Sequence, residues 1–189
     1  MNRNKVYDEI IIAGFGGQGI MLAGRLLAQA AMKQGLEVTY MSSYGAEVRG
    51  GAANCMVIIS DEPIASPLVT NPTSLIAMSK AAVRKFGKDV KKGGLVVVNS
   101  SLIDELPDMD NTVETVKVPA DEFAVELGNI RVANMAALGA YIAKKNILDV
   151  ETVCGALSDV LAKRYQEILP VNIAAIKRGA EFVGNPEAV

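Results

Sequence analysis

Gly14-Phe15-Gly16-Gly17-Gln18-Gly19 follows the apolar run Glu9-Ile10-Ile11-Ile12-Ala13 and opens a helical pattern near Gly17. Strand, tight glycine turn and helix N-terminus in that order are the context in which a G-x-G-x-x-G spacing carries meaning. Glycines leave no Cβ between backbone and ligand, and the free N–H groups at the positive end of a helix favour an anion. Such a turn holds a phosphate or pyrophosphate without a basic side chain, although the same glycines also serve strand–helix packing. A dinucleotide site asks further for an acidic residue at the end of the second strand, to hold the adenosine ribose. The second predicted strand, residues 37–41, runs instead into Ser42-Ser43, and Glu37 lies at its other end. A nicotinamide cofactor is therefore disfavoured.

The second feature is Tyr44-Gly45-Ala46-Glu47-Val48-Arg49-Gly50-Gly51, which offers an aromatic face, a carboxylate and a guanidinium on a glycine-loosened backbone. Functional residues favour loops held on rigid scaffolds; a surface loop with Glu47 and Arg49 solvated is the alternative. In open α/β sheets ligands sit beyond the carboxyl ends of the strands, where Gly14–Gly19, Tyr44–Gly51 and Asn99-Ser100-Ser101 are expected to converge. Asn54 and Cys55 follow on a strand that sends them to opposite faces: Cys55 to the core, Asn54 toward the loop, a ligand or a structural hydrogen bond. Asn134, at the start of a predicted helix, reads as a cap.

What is missing narrows the chemistry. The 189 residues contain no histidine, which excludes a Ser-His-Asp triad, a histidine base and a histidine-ligated metal on this chain. Cys55 and Cys154 are the two cysteines, too few for an iron–sulfur cluster and suited to buried free thiols in a reducing compartment. A formal charge of -2 gives no electrostatic reason to expect nucleic acid, and neither a basic run nor a long apolar stretch suggests a membrane. A soluble, cytoplasmic protein is the expectation.

Strand and helix patterns alternate in a way that predicts one domain over residues 1–189, an α/β three-layer Rossmann-like sandwich with a mostly parallel or mixed sheet and a helical C-terminal third. Strands are expected at 9–13, 37–41, 52–59, 75–78, 94–99 and 112–118, with 64–67 returning as a short edge strand. Helices are expected from about 17 to 34, at 79–86, and near 120–127, 133–146, 150–164 and 171–183.

Taken together, Ile11-Ile12-Ala13-Gly14-Phe15-Gly16-Gly17-Gln18-Gly19, Ser43-Tyr44-Gly45-Ala46-Glu47-Val48-Arg49-Gly50-Gly51-Ala52-Ala53-Asn54, Leu75-Ile76-Ala77-Met78 and Asn134-Met135-Ala136-Ala137-Leu138-Gly139-Ala140 resemble the gamma subunit of 2-oxoacid:ferredoxin oxidoreductases, over about residues 8–183. The resemblance implies an accessory subunit, inactive alone, in an assembly that converts a 2-oxoacid and coenzyme A to acyl-CoA, with 2-oxoglutarate favoured. It implies thiamine diphosphate, Mg and iron–sulfur clusters on alpha, beta and ferredoxin-like delta partners, and ferredoxin as acceptor. No catalytic residue and no metal ligand falls on this chain. Gly14, Gly16, Gly17, Gln18 and Gly19 would contact coenzyme A, while Tyr44, Glu47, Arg49 and Asn54 border the active site or a partner subunit. The rivals are a nucleotide-binding regulatory module and an NAD-dependent dehydrogenase.

Overall fold

Along the first strand, β1 (Tyr7–Phe15), Ile10 and Ile12 go to one face and Ile11 and Ala13 to the other, the two-residue period of a pleated strand buried on both sides. The computed structural model, which describes residues 5–44 and 51–184, joins β1 to β2 (Glu37–Tyr44), β3 (Ala52–Ser60), β4 (Ser74–Ala77), β5 (Leu95–Asn99) and β6 (Glu114–Val118) in one sheet of order β2-β3-β1-β4-β5-β6. β1, β4, β5 and β6 pair parallel in succession, and β3 runs antiparallel to both β1 and β2. Five strands thus share one direction, with β3 alone opposed.

The helices are α1 (Ile20–Lys33), α2 (Lys80–Phe86), α3 (Ala120–Glu126), α4 (Ala133–Lys145), α5 (Val150–Val160) and α6 (Leu169–Gly184). The Ile10/Ile12 face packs on residues of α1, α3, α4, α5 and α6; the Ile11/Ala13 face packs on Ala82 and Val83 of α2 and on loop residues such as Val69 and Ile103. The three-layer α/β expectation holds, with helices crowded on one face.

Three local expectations fail. The second strand does not stop near Met41, because β3 supplies hydrogen-bonding partners as far as Tyr44, opposite Ala53. Residues 64–67 form no strand, since Pro63 and Pro67 lack the N–H that a ladder needs; the sheet is mixed because of β3 instead. The helix expected to reach residue 164 ends at Val160, where Leu161 turns extended and residues 163–168 continue as a 3-10 helix.

α4 runs from the carboxyl edge of the sheet back to its amino edge, and both ends are tied down. At the amino edge the fully buried Asp8 carboxylate accepts hydrogen bonds from Tyr141 (2.6 Å), Ser74 (3.0 Å) and Thr73, and pairs with Lys145 at 3.0 Å. A buried carboxylate is tolerable only with such partners. Along its length α4 lies against α6 so closely that a Cβ on Gly139 would collide with the Ile176 carbonyl and one on Gly179 with that of Ala136. The start of α4 is thereby fixed over the turn that follows β1.

Candidate functional site

The turn between β1 and α1 is held by one side chain. Gln18 Oε1 accepts the Phe15 N–H at 2.7 Å, and its Nε2 donates to the Met78 carbonyl at 2.9 Å, just past the end of β4. This requires a glycine at 14, where a Cβ would collide with the Gln18 amide oxygen and press on Ile20. Gly17 (φ 99°) and Gly19 (φ 70°) take the left-handed conformation that side chains resist. Gly19 is doubly constrained, because Asn134 Nδ2 fills the place of a Cβ and donates to the Gly19 carbonyl at 3.0 Å.

The expected anion-facing groups are rearranged by this geometry. The Gly16 N–H is taken by the Gly51 carbonyl at 3.0 Å and the Gln18 N–H by Phe15 at 3.2 Å. Gly19 caps α1 with no side-chain hydrogen bond, and the first-turn N–H groups of Ile20, Met21 and Leu22 have no acceptor among the described residues. They line a hollow of about 280 Å³ with Gly17, Gly19 and Ala53. An uncapped helix start of this kind, without acidic residues in its first turn, attracts an anion.

A second cleft, of about 220 Å³, opens on the other side of Gly17, between Gln18, Met78, Asp121, Ile130, Arg131 and Asn134. Asp121 accepts from Asn99 Nδ2 at 2.8 Å, and its backbone N–H donates to Ser101 Oγ at 3.1 Å, so the Asn99–Ser101 segment stands behind this cleft. Asn134 is not the expected cap. Val132 occupies the cap position of α4 and Asn134 lies two residues further in, where its amide reaches Gly19 rather than its own helix.

The remaining candidates divide. Tyr44 ends β2 opposite Ala53, beside the turn, whereas Glu47 and Arg49 lie outside the described residues. Asn54 is buried on the opposite face of the sheet, in a small hollow with Gly14, Ala81, Lys85 and Phe86, away from the start of α1. Cys55 is in the core as expected; burial pushes its thiol up to about 12, which keeps it protonated and unreactive. Arg131 and Asp121 were not singled out in the sequence. Nothing local in Asn129-Ile130-Arg131 shows that it folds against residues 17 and 18.

The topology also bears on nicotinamide binding. In a dinucleotide-binding unit the ribose-anchoring strand is the parallel neighbour of the first strand; here β3 stands between β1 and β2, one strand spacing of about 4.8 Å further out.

The sequence model of the pyruvate ferredoxin/flavodoxin oxidoreductase family matches residues 9–182. The chain belongs to that family. It is 39% identical to the 2-oxoglutarate synthase subunit KorC of Methanocaldococcus jannaschii, over 95% of each chain. It is 36% identical to the ketoisovalerate oxidoreductase subunit VorA of Methanothermobacter marburgensis, over 92% of this chain and 36% of that one. Among solved structures, the gamma subunit of a keto/oxoacid ferredoxin oxidoreductase from Geobacter sulfurreducens superposes with a TM-score of 0.79 at 32% identity, covering 93% of this chain and 97% of that one. A 2-oxoglutarate:ferredoxin oxidoreductase from Magnetococcus marinus, solved with 2-oxoglutarate, coenzyme A and succinyl-CoA bound, superposes with a TM-score of 0.84 at 29% identity over 96% of this chain and 32% of that one. The resemblance of the GGQG turn and YG-x-E-x-RGG loop to gamma subunits is borne out, and with it an oxidoreductase subunit in a ferredoxin-linked family. No helix among the described residues is long and apolar enough to cross a membrane.

Proposed function

We propose that this chain is the gamma component of a complex that oxidatively decarboxylates a 2-oxoacid in the presence of coenzyme A, releasing CO2, forming acyl-CoA and passing two electrons to ferredoxin. 2-Oxoglutarate is the favoured substrate, supported by the KorC relatives and the Magnetococcus structure, with a branched 2-oxoacid as the alternative that the VorA likeness raises. Thiamine diphosphate, Mg and iron–sulfur clusters belong in this reading to alpha, beta and delta partners and supply the decarboxylation and electron transfer there. The assembly works in the cytoplasm.

The observation that carries the reading is the uncapped start of α1: the N–H groups of Ile20, Met21 and Leu22 open onto a hollow in which a phosphate of coenzyme A can sit. The turn supplies binding and orientation. Its donors are fixed by Gln18, Asn134 and Gly51 before the ligand arrives, so little ordering entropy is lost on binding. An NAD-dependent dehydrogenase is disfavoured by the displaced second strand, and a regulatory nucleotide module by the family membership.

Purification from the native source tests the assignment. Partner chains carrying thiamine diphosphate and clusters should accompany this one, and ferredoxin reduction should depend on all of them together with a 2-oxoacid and coenzyme A. A preparation of this chain alone that reduces ferredoxin would overturn it.

A further inference from the structure

The segment 80–92 gathers six of the nineteen basic residues against one acidic residue, Asp89, whereas the rest of the chain carries thirteen basic and twenty acidic. A protein of net charge -2 thus concentrates positive charge on α2 and the 3-10 turn Gly87–Asp89 that continues it. The cations divide by partner. Lys80 pairs with Asp104, Lys91 with Glu9 and Lys92 with Asp110, but Arg84, Lys85 and Lys88 meet no carboxylate within ion-pair distance among the described residues. With Ala81 these three are exposed and fall at i, i+3, i+4 and i+7, one outward stripe, while Ala82, Val83 and Val90 turn to the core. Like charges at that spacing repel and cost stability in the chain alone. Nothing among the described residues offsets them.

Beside the stripe lies the hollow that holds Asn54, on the face of the sheet opposite α1. Its volume of about 60 Å³ suits one short side chain and is far below the roughly 300 Å³ at which small-molecule sites begin. Ala53, Ala81, Ala82 and Phe86 wall it, and Lys85 stands at the rim with its ammonium 5.0 Å from the centre of the Phe86 ring. Asn54 is 7% exposed, and its amide makes no side-chain hydrogen bond among the described residues. A buried amide needs a partner. Nucleic acid is a poor fit, since the stripe spans about 10 Å of helix and is bracketed by carboxylates, too small a field for a run of phosphates. Three cations also fall short of the cluster of about four or more that holds an anionic membrane. A short positive stripe next to an apolar hollow with an orphaned amide has the anatomy of a protein–protein contact. Resting on the reading of this chain as one component of a complex, we propose that the Ala81–Lys88 stripe and the Asn54 hollow form the docking surface for an acidic segment of a partner subunit. Aspartate or glutamate side chains of that segment pair with Arg84, Lys85 and Lys88, and a short polar side chain beside them enters the hollow and bonds the Asn54 amide.

Carbodiimide cross-linking of the assembled complex, which joins an amine to a carboxylate in contact with it, tests this. Peptide mapping should find Lys85 or Lys88 joined to an aspartate or glutamate of another subunit, and acetylation should label both lysines about tenfold more slowly in the complex than in this chain alone. A triple variant, Arg84→Gln with Lys85→Gln and Lys88→Gln, should keep or raise the melting temperature of the chain, because the replaced cations repel one another. It should nevertheless bind the remaining subunits about tenfold or more weakly, through slower association that has lost much of its dependence on salt. Asn54→Ala separates docking from folding: an amide without a partner adds little to the fold, so this variant should melt as the parent does and still bind the other subunits less tightly. Cross-links from Lys85 and Lys88 only to this chain or a second copy of it, equal acetylation in the two states, unchanged binding by the triple variant, or a melting temperature lowered by Asn54→Ala with binding unchanged would overturn the proposal while the complex itself still formed. A chain that no other subunit accompanies would overturn the reading beneath it, and the proposal with it.

Discussion

Gln18 and Met78 stand 60 residues apart and are joined by a 2.9 Å hydrogen bond from the Gln18 amide to the Met78 carbonyl, while the same amide's oxygen holds the Phe15 N–H. One side chain thus clamps the ends of two parallel strands on either side of the place where the order of the sheet reverses direction in sequence. Gln18 is a brace for the turn, with both amide ends already engaged, rather than a ligand. Gln18→Ala removes two hydrogen bonds worth about 1 kcal/mol each and exposes their partners, so denaturant titration should show a loss of about 1–3 kcal/mol. A variant as stable as the parent would refute the brace.

Gly17 and Gly19 both have positive φ, but only Gly19 has a side chain packed where its Cβ would go. Gly17→Ala should cost about 1–2 kcal/mol, the strain of a left-handed non-glycine residue. Gly19→Ala adds displacement of Asn134 and should cost clearly more. In a double-mutant cycle Gly19→Ala and Asn134→Ala should be non-additive, since each breaks the same contact. Equal penalties for the two glycines, or simple additivity, would show that Asn134 does not support the turn.

Much of this was legible in the chain. Ile10–Ala13, Leu75–Ala77 and Leu95–Val98 are apolar runs whose burial on both faces leaves little choice but an interior parallel strand. The opposed direction of β3 was not legible, because its residues 53, 55, 57 and 59 alternate the same way whichever neighbour they pair with. Nor was the cleft beside Gly17. It depends on Asn134 returning to Gly19 across 115 residues and on Arg131 arriving with it, and both follow from the docking of α4 by Asp8, Tyr141 and the Gly139–Gly179 crossing. Asp8 in the sequence looks like a solvated residue before a strand; only the tertiary fold buries it.

That buried layer makes stability depend on alkaline pH. Burial raises the Cys55 thiol from its ordinary value near 9 to about 12, and burial together with the Asp8 charge holds the Tyr141 phenol well above its ordinary value near 10. In both cases the folded state keeps a proton that the unfolded chain gives up. Their contribution is therefore complete below pH 9 and is lost as pH rises, first for the thiol and then above pH 10 for the phenol. Urea midpoints should be flat from pH 7 to 9 and then fall, by at most about 1.4 kcal/mol per pH unit for each group. Cys55→Ala should remove the part of the decline that begins near pH 9, and Tyr141→Phe the part above pH 10. A midpoint that rises above pH 9 would contradict the burial of both groups.

Arg49 is the remaining bet from the sequence, and the structure secures both stems of its loop. Tyr44 pairs with Ala53, and the carbonyl of Gly51, two positions after Arg49 in the chain, accepts the Gly16 N–H at 3.0 Å. A planar guanidinium grips a carboxylate or phosphate with paired hydrogen bonds that an ammonium cannot reproduce. If Arg49 orders a ligand or the neighbouring subunit at the crevice, Arg49→Lys keeps the charge, removes the fork, and should lower turnover efficiency of the reconstituted complex by about tenfold or more, some 1.4 kcal/mol, with the melting temperature little changed. If it only meets Glu47 at the surface, the contact is worth at most about 1 kcal/mol and the substitution should leave kinetics alone. Normal assembly with near-normal kcat/KM in Arg49→Lys would return the 44–51 loop to a purely structural role.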